Sequence, residues 1–167
     1  AGPCTVLAKK TTEKDGYNAI VVAYGNVKEK NMTKPELGVY KKANIEPKKM
    51  IKELKIDENL MDFADIRTEE MGIHGYSAHN RPDGSLYNTV FAGTSYEWNF
   101  SCRAECAGWD ALKSKGSTDG KACFQGYKNS PSHYRGIIDP CYEYVGVSAY
   151  RDKNGKTTTV ILLYTPL

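Results

Sequence analysis

Three titratable side chains stand close to turn residues in this sequence and are the candidates for chemistry: His79, Glu105 and His133. Neutral imidazoles bind zinc well, and a carboxylate can serve as a third ligand or orient an imidazole. The same residue types can also share general acid–base work on a bound substrate. Both uses require the three side chains to converge over about 55 residues of chain, which their spacing alone does not show.

The segment around His133 predicts a helix that begins just before it. Ser130 is a good N-cap residue and Pro131 suits the first helical position, so His133 falls in the first turn, at a position fixed by the backbone. His74 lies in a glycine-flanked stretch, and we interpret it as an ordinary loop residue.

Composition restricts the class of protein. The 167 residues are 40% hydrophobic and 26% charged, as in a soluble globular protein of one domain. The net charge is +3, and the lysines between Lys9 and Lys55 alternate with acidic residues, so we expect no nucleic-acid partner. The longest apolar run, Val160–Tyr164, is far shorter than the ~18 residues of a membrane span and predicts a buried strand.

Cysteine usage indicates an oxidising compartment. Cys102, Cys106, Cys123 and Cys141 fall within forty residues and are disulfide candidates, whose pairing the sequence leaves open. A structural zinc site is the weaker alternative, because no second closely spaced pair follows Cys102 and Cys106. Cys4 lies outside this group. It could be a lipidated N-terminal cysteine, a partner in a disulfide, or a residue at the boundary of the sequence given. Since the chain shows no targeting signal, secretion is an inference from the cysteines.

The N-terminal third is hard to assign. Residues 1–16 are polar and lysine-rich, and we expect a loose lead-in. Residues 17–31 fit both the strand and the helix period, and we favour a helix, with a strand as the alternative. Residues 110–121 predict a polar surface loop or a frayed helix.

The clearest helix starts at Asp57, which can cap it, and is expected to end before Gly72. One face carries the side chains expected in the core: Leu60, Phe63, Ala64, Arg67 and Met71. Arg67 lies among apolar neighbours and therefore requires a carboxylate partner.

The C-terminal end predicts a β-hairpin. Alternating residues 142–150 and the β-branched run 157–163 flank Asn154-Gly155, which supplies the positive φ angles of a tight turn. We therefore predict one domain over residues 17–167 that mixes α and β structure.

Several motifs, taken in order, resemble a known family. They are "IRTEEM", "YSAHNRPDGSLYNTVF", "AECAG", "NSPSHYRGII" and "YEYVGVSAY". Together they resemble the microbial branch of the CAP superfamily (cysteine-rich secretory proteins, antigen 5, pathogenesis-related 1) over about residues 50–150. The resemblance implies an α+β fold, a three-layer α-β-α sandwich with a mainly antiparallel central sheet and a cleft that holds histidines and acids.

Residue by residue, the resemblance places the family's two histidines at His79 and His133 and its glutamate at Glu105. Glu97 is a rival for the glutamate, because the residues after it also resemble part of that motif. Family members from animals and plants carry a second acid before the last histidine. Here only Asp110 and Asp119 lie in that interval, outside any matching motif, so the resemblance implies a triad.

The resemblance implies a secreted binding module, although whether the protein is also an enzyme stays open. The cleft would take a small lipid-like ligand or an extracellular partner protein, with zinc or another divalent cation at His79 and His133 as an optional cofactor. Aromatic residues that could line it, unless they form the core, are Tyr76, Tyr87, Phe91, Tyr96 and Trp98. The alternative is a metal-assisted or acid–base hydrolase of extracellular peptide or cell-wall material, in which Glu105 activates water.

Overall fold

The structure is a computed structural model that describes residues 5–75, 78–109 and 125–167. The contacts between residues divide the chain into two compact units, residues 1–56 (unit 1) and residues 57–167 (unit 2). Both units combine helices with antiparallel strands, which confirms the predicted α+β class. The predicted single domain over residues 17–167 stays a prediction.

Unit 1 is an antiparallel three-stranded sheet with β2 in the middle. Its elements are β1 (Thr5–Lys10), α1 (Thr12–Asp15), β2 (Ala19–Asn26), a 3₁₀ turn (Glu29–Asn31), α2 (Lys34–Ala43) and β3 (Lys48–Ile56).

Two expectations for unit 1 are wrong. Residues 5–15 are not a loose lead-in, because β1 pairs with β2 and places Val6 opposite Val22. The helix favoured over residues 17–31 is a strand instead, β2. The β-branched residues Ile20, Val21 and Val22 favour an extended backbone, and hydrogen bonds to strands on both sides satisfy its polar groups.

Unit 2 places strand β6 between two antiparallel neighbours, β5 and β4. Its elements are α3 (Glu58–His74), a 3₁₀ turn (Tyr87–Phe91), α4 (Ser95–Trp98), β4 (Cys102–Trp109), α5 (Pro131–Ile138), β5 (Tyr144–Arg151) and β6 (Thr157–Thr165). The predicted buried strand at residues 160–164 is confirmed as the centre of β6.

The predicted hairpin is confirmed, but its turn differs from the expected one. Five residues, 152–156, connect β5 to β6, and only Gly155 has a positive φ, of 79°. The Asp152 carboxylate accepts the backbone N–H groups of Asn154 and Lys156, both at 2.8 Å. The turn is therefore held by an aspartate side chain, not by two residues with positive φ.

Helix α3 packs against β5 and β6 and buries the predicted apolar face. Its residues Leu60, Ala64 and Met71 are fully buried, as are Val160 and Leu162 of β6. At its N-terminus the predicted cap is confirmed, since the Asp57 carboxylate accepts the Leu60 N–H at 2.9 Å.

The end of α3 differs from the prediction. Gly72 does not follow the helix but lies inside it, where the ring of Tyr150 leaves no room for a Cβ. The helix continues to His74, and Gly75 ends it with a φ of 71°. His74 is therefore a helical residue, and the interpretation of it as a loop residue is wrong.

The two sides of β4 face different helices. Glu105 points toward α3, where it meets Arg67, whereas the Cys106 thiol contacts the backbone carbonyl of His133 in α5 at 3.9 Å. Unit 2 thus has a helix on each side of its sheet, which agrees with the expected layering.

One disulfide joins Cys102 to Cys141, so two of the four candidates pair. Cys106 is also a disulfide candidate by sequence, but among the described residues its thiol is free and buried, because it points into the α5 interface. Cys4 and Cys123 lie outside the described residues. In the part of the chain that the structure describes, no helix is long and apolar enough to cross a membrane.

Candidate functional site

Glu105 is the centre of the candidate site. Its side chain is fully buried on β4, and a buried carboxylate needs compensating donors. Arg67 supplies two, from Nε at 2.8 Å and from Nη2 at 3.4 Å. His79 supplies a third through Nδ1 at 2.9 Å. The predicted carboxylate partner of Arg67 is thus Glu105, and Glu105 is hydrogen-bonded to His79.

Arg67 is fully buried and uses its whole guanidinium group. Nη1 donates to Glu70 at 2.7 Å, and Nη2 also donates to the Ala78 carbonyl at 2.9 Å. Burial alone would lower the pKa of Arg67, but its bonds to Glu105 and Glu70 raise that pKa above the ordinary value. The guanidinium is therefore a permanent positive charge beside Glu105.

Glu70 extends the network to the surface. Its carboxylate accepts Arg81 Nε at 2.9 Å and Nη2 at 2.5 Å, besides the bond from Arg67. Burial alone would raise the pKa of Glu70, but the two arginines lower it below its ordinary value. The sequence analysis did not identify Glu70, although its place three residues after Arg67 on a helix is a signal for such a pair.

His79 is the exposed member of the site. Its side chain is 55% exposed, and the Tyr87 ring stands edge-on to it at 6.3 Å between centroids. Because the Glu105 carboxylate also accepts both bonds from Arg67, we assign the proton of this hydrogen bond to Nδ1 of His79. Nε2 is then the nitrogen with a free lone pair.

His133 lies in the first turn of α5, and the predicted helix start at Ser130-Pro131 is confirmed. The Ser130 hydroxyl does not cap the backbone but bonds Nδ1 of His133 at 2.8 Å. Tyr127 packs edge-on against the imidazole at 5.4 Å between centroids, and its hydroxyl is anchored to Thr159. The ring is therefore held from two sides.

The pKa of His133 lies below its ordinary value, first because burial disfavours its charged form and then because a proton on His79 would repel one on His133. His133 is thus neutral at pH 7. The structure brings His79 and Glu105 into contact, whereas His133 bonds Ser130 in α5.

Of the other candidate acids, the one that the structure describes does not join the site. Glu97, the rival of Glu105, lies in α4 and accepts the Gly93 N–H at 2.9 Å. Asp110 and Asp119 lie outside the described residues.

The donor set limits which metal chemistry fits. Among residues 5–75, 78–109 and 125–167, no group of three or more His, Cys, Asp or Glu side chains is arranged to hold a metal ion. The Glu105 carboxylate is committed to Arg67 and His79, which leaves Nε2 of His79 and of His133 as donors. These two nitrogens are fewer than the three protein ligands of a catalytic zinc.

Most of the candidate aromatic residues belong to the core. Phe91 is 2% exposed, and Tyr96 packs against it and against Tyr164. Trp98 is 62% exposed, and Tyr76 lies outside the described residues. The interpretation of Phe91 and Tyr96 as core residues is confirmed.

Comparison with known proteins yields two kinds of relative. The profile of the cysteine-rich secretory protein family (CAP) matches residues 43–164. An outer surface protein from Borrelia burgdorferi has a similar fold, with a TM-score of 0.57 and 17% sequence identity over 96% of this chain and 98% of that one.

Curated relatives include the large ribosomal subunit protein uL3 of two bacteria. The protein from Brachyspira pilosicoli is 58% identical over 59 residues, which are 35% of this chain and 27% of that protein. The protein from Fervidobacterium nodosum is 36% identical over 140 residues, which are 80% of this chain and 66% of that protein. The chain therefore spans less than two thirds of the length of both.

Proposed function

Because the chain belongs to the cysteine-rich secretory protein (CAP) family, we propose that unit 2 is an extracellular binding module and not a hydrolase. The observation that carries the proposal is the bonding of Glu105. Its buried carboxylate accepts hydrogen bonds from the positively charged Arg67 and from His79. In a hydrolase of the alternative kind, that carboxylate would have to activate water.

A general base must reach the proton that it removes and must gain that proton readily. Glu105 is buried beside a permanent guanidinium charge, so protonating it would leave Arg67 without its main counter-ion. This arrangement suits an orienting role, in which Glu105 fixes the tautomer and the direction of the His79 ring.

The ligand proposed for this site is a divalent cation such as zinc. His79 and His133 each use Nδ1 in a hydrogen bond and keep Nε2 available. Neutral imidazoles are good zinc ligands, and water would complete the coordination. The exposed edge of His79 gives the cation access from solvent. A small lipid-like ligand or an extracellular partner protein stays a prediction.

Calorimetric titration with zinc at neutral pH tests this proposal. We expect the full chain to bind zinc, His79→Ala and His133→Ala to abolish binding, and Glu105→Gln to weaken it about 10- to 100-fold. Glu97→Gln is the matched control and should change nothing, because Glu97 lies in α4 and bonds Gly93. Lack of zinc binding by the unaltered chain would refute the cation site. Peptide or cell-wall hydrolysis that disappears in Glu105→Gln would refute the binding module.

The extracellular location rests on two observations. Family membership supports an extracellular location for unit 2, and the Cys102–Cys141 disulfide is stable in oxidising compartments. Fractionating the producing cells and probing the culture medium and the cell surface for the chain tests this location, and detection in the cytoplasm alone would contradict it.

A second function is favoured for unit 1 by the ribosomal relatives. The 58% identity extends over 59 residues, close to the 56 residues of unit 1, and the CAP profile does not reach residues 1–42. We infer that this match is to unit 1, and that unit 1 binds RNA as a segment of a ribosomal protein would. Fluorescence anisotropy with a labelled RNA tests this, and the absence of binding would refute it.

A further inference from the structure

We propose that unit 1 binds the phosphate backbone of RNA in a lysine-lined groove at the end of β2, a proposal that rests on the RNA-binding function inferred above. The groove has a volume of about 710 Å³. Its charged and amide side chains are those of Asn26, Lys28, Lys30, Asn31, Glu36 and Lys49.

The charge of the chain is divided unequally between the units. Residues 1–56 contain twelve lysines and six acidic residues, a net charge of +6, whereas residues 57–167 have a net charge of −3. A polyanion that meets this chain is therefore attracted to unit 1 and repelled by unit 2.

Three of the acids of unit 1 are engaged within the fold. Glu53 pairs with Lys10 at 2.6 Å, and Glu46 approaches Lys48 at 3.8 Å. Glu36 is the one acid in the groove, and its carboxylate accepts both the N–H and the hydroxyl of Thr33, at 2.7 and 2.8 Å. The expectation of no nucleic-acid partner rests on lysines interleaved with acids in sequence, whereas the lining of the groove combines Lys28, Lys30 and Lys49 with a single acid, Glu36.

The three lysines of the groove remain available to bind phosphate. Lys28, Lys30 and Lys49 are exposed, and among the residues that the structure describes none of them forms an ion pair. Pairing of Asn26 with Lys48 brings the segment after β2 alongside β3. A Cβ added at Gly25, whose φ is 77°, would lie 3.3 Å from the Cβ of Lys49, so the strands approach closely here. The three ammonium groups therefore border one groove.

The chemistry of the groove matches a backbone and not a base sequence. Lysine binds phosphate as a mobile point charge, and the amides of Asn26 and Asn31 can donate to phosphate or sugar oxygens. Unit 1 contains no arginine, the residue that most often reads guanine, so we expect little sequence preference.

The test compares two triple variants of the full chain, K28Q/K30Q/K49Q in the groove and K14Q/K41Q/K42Q as a control with the same loss of charge on exposed lysines. Anisotropy of a fluorescein-labelled single-stranded RNA of about 20 nucleotides, followed over a range of KCl concentrations, measures affinity and its salt dependence. Losing three phosphate contacts should weaken binding about 100-fold at about 0.1 M salt and lower the salt slope by about 2. The control should lose less than about tenfold.

Each result distinguishes the two levels of the proposal. A loss of RNA affinity in the groove variant that the control variant does not share supports the groove as the binding site. Equal loss in both variants overturns the groove but leaves RNA binding by unit 1 intact. No binding by the unaltered chain overturns both. Phosphatidylglycerol vesicles are titrated in parallel, and vesicle binding without RNA binding would overturn the proposal in favour of a membrane surface. Far-UV circular dichroism of each variant verifies folding.

Discussion

Replacing Arg67 with methionine should destabilise unit 2 severely. The substitution keeps most of the side-chain volume but removes both guanidinium bonds to Glu105, together with those to Glu70 and the Ala78 carbonyl. Glu105 would remain fully buried with His79 as its partner. Breaking a buried ion pair from one side costs about 3–5 kcal/mol, because it leaves an uncompensated charge. Whole domains are stable by only about 5–15 kcal/mol, so a large share of the stability would be lost.

A double-mutant cycle measures how much of this loss of stability comes from leaving the buried Glu105 charge without its partner. Arg67→Met, Glu105→Gln and the double variant are unfolded in urea, with Arg151→Met as a control at an exposed position. We expect the double variant to be more stable than Arg67→Met alone by about 2 kcal/mol, since no buried charge is left unpaired. The control should change stability by no more than about 0.5 kcal/mol.

Two results would refute this reasoning. A cost below about 1 kcal/mol for Arg67→Met would mean that water or another cation replaces the guanidinium. Additive effects of the two single substitutions would mean that Arg67 and Glu105 stabilise unit 2 independently and not as a pair.

Three further predictions concern unit 2. Gly146→Ala should prevent stable folding, because its Cβ would collide with the α3 backbone. A Cβ at Gly136 has its nearest neighbour 3.8 Å away, so Gly136→Ala should fold and gain up to about 1 kcal/mol of stability, measured by thermal unfolding. Removing the disulfide with Cys102→Ser and Cys141→Ser should cost up to about 4 kcal/mol in urea unfolding, from the entropy of a loop closed over 39 residues; no change would contradict this. The pKa of Glu70 is lower in the folded state than its ordinary value of 4.5, so the free energy of unfolding should fall as pH drops from 4.5 through the folded pKa. Glu70→Gln should lack this contribution. The same dependence of stability on acid pH in Glu70→Gln as in the unaltered chain would contradict it.

The sequence predicts the parts of the fold that depend on local signals. The cap at Asp57, the helix start at Ser130-Pro131 and the C-terminal hairpin are each encoded within a few residues. Their outcome depends little on the rest of the chain, and all three are confirmed. The apolar face of α3 is likewise encoded by its own period.

The errors occur where distant residues decide the structure. Residues 20–22 fit two periods, and pairing with β1 and β3 selects the strand. Gly72 looks like a helix end because glycine is common there, but here it makes room for the Tyr150 ring of β5. Neither partner lies within the window of sequence on which the prediction depends.

In the candidate site, too, local signals are predicted from the sequence and contacts between distant residues are not. His79, Glu105 and His133 are identified through a family resemblance, and the hydrogen bond between His79 and Glu105 is not evident from their spacing. The need of Arg67 for a carboxylate follows from its apolar surroundings, but the choice of Glu105 requires the register of β4 against β6. That register depends on pairing between strands about 55 residues apart.

The Cys102–Cys141 bond also defines a covalent ring, and the ring contains Glu105 and His133 while His79 lies outside it. When α5 detaches from β4, it moves as a tethered segment whose two ends stay joined, so the entropic cost of its return is small. In a reduced chain only the backbone between α5 and β5 holds that end of the helix near the sheet, so more conformations are open to the detached segment. Oxidation therefore stabilises the segment that carries Glu105 and His133.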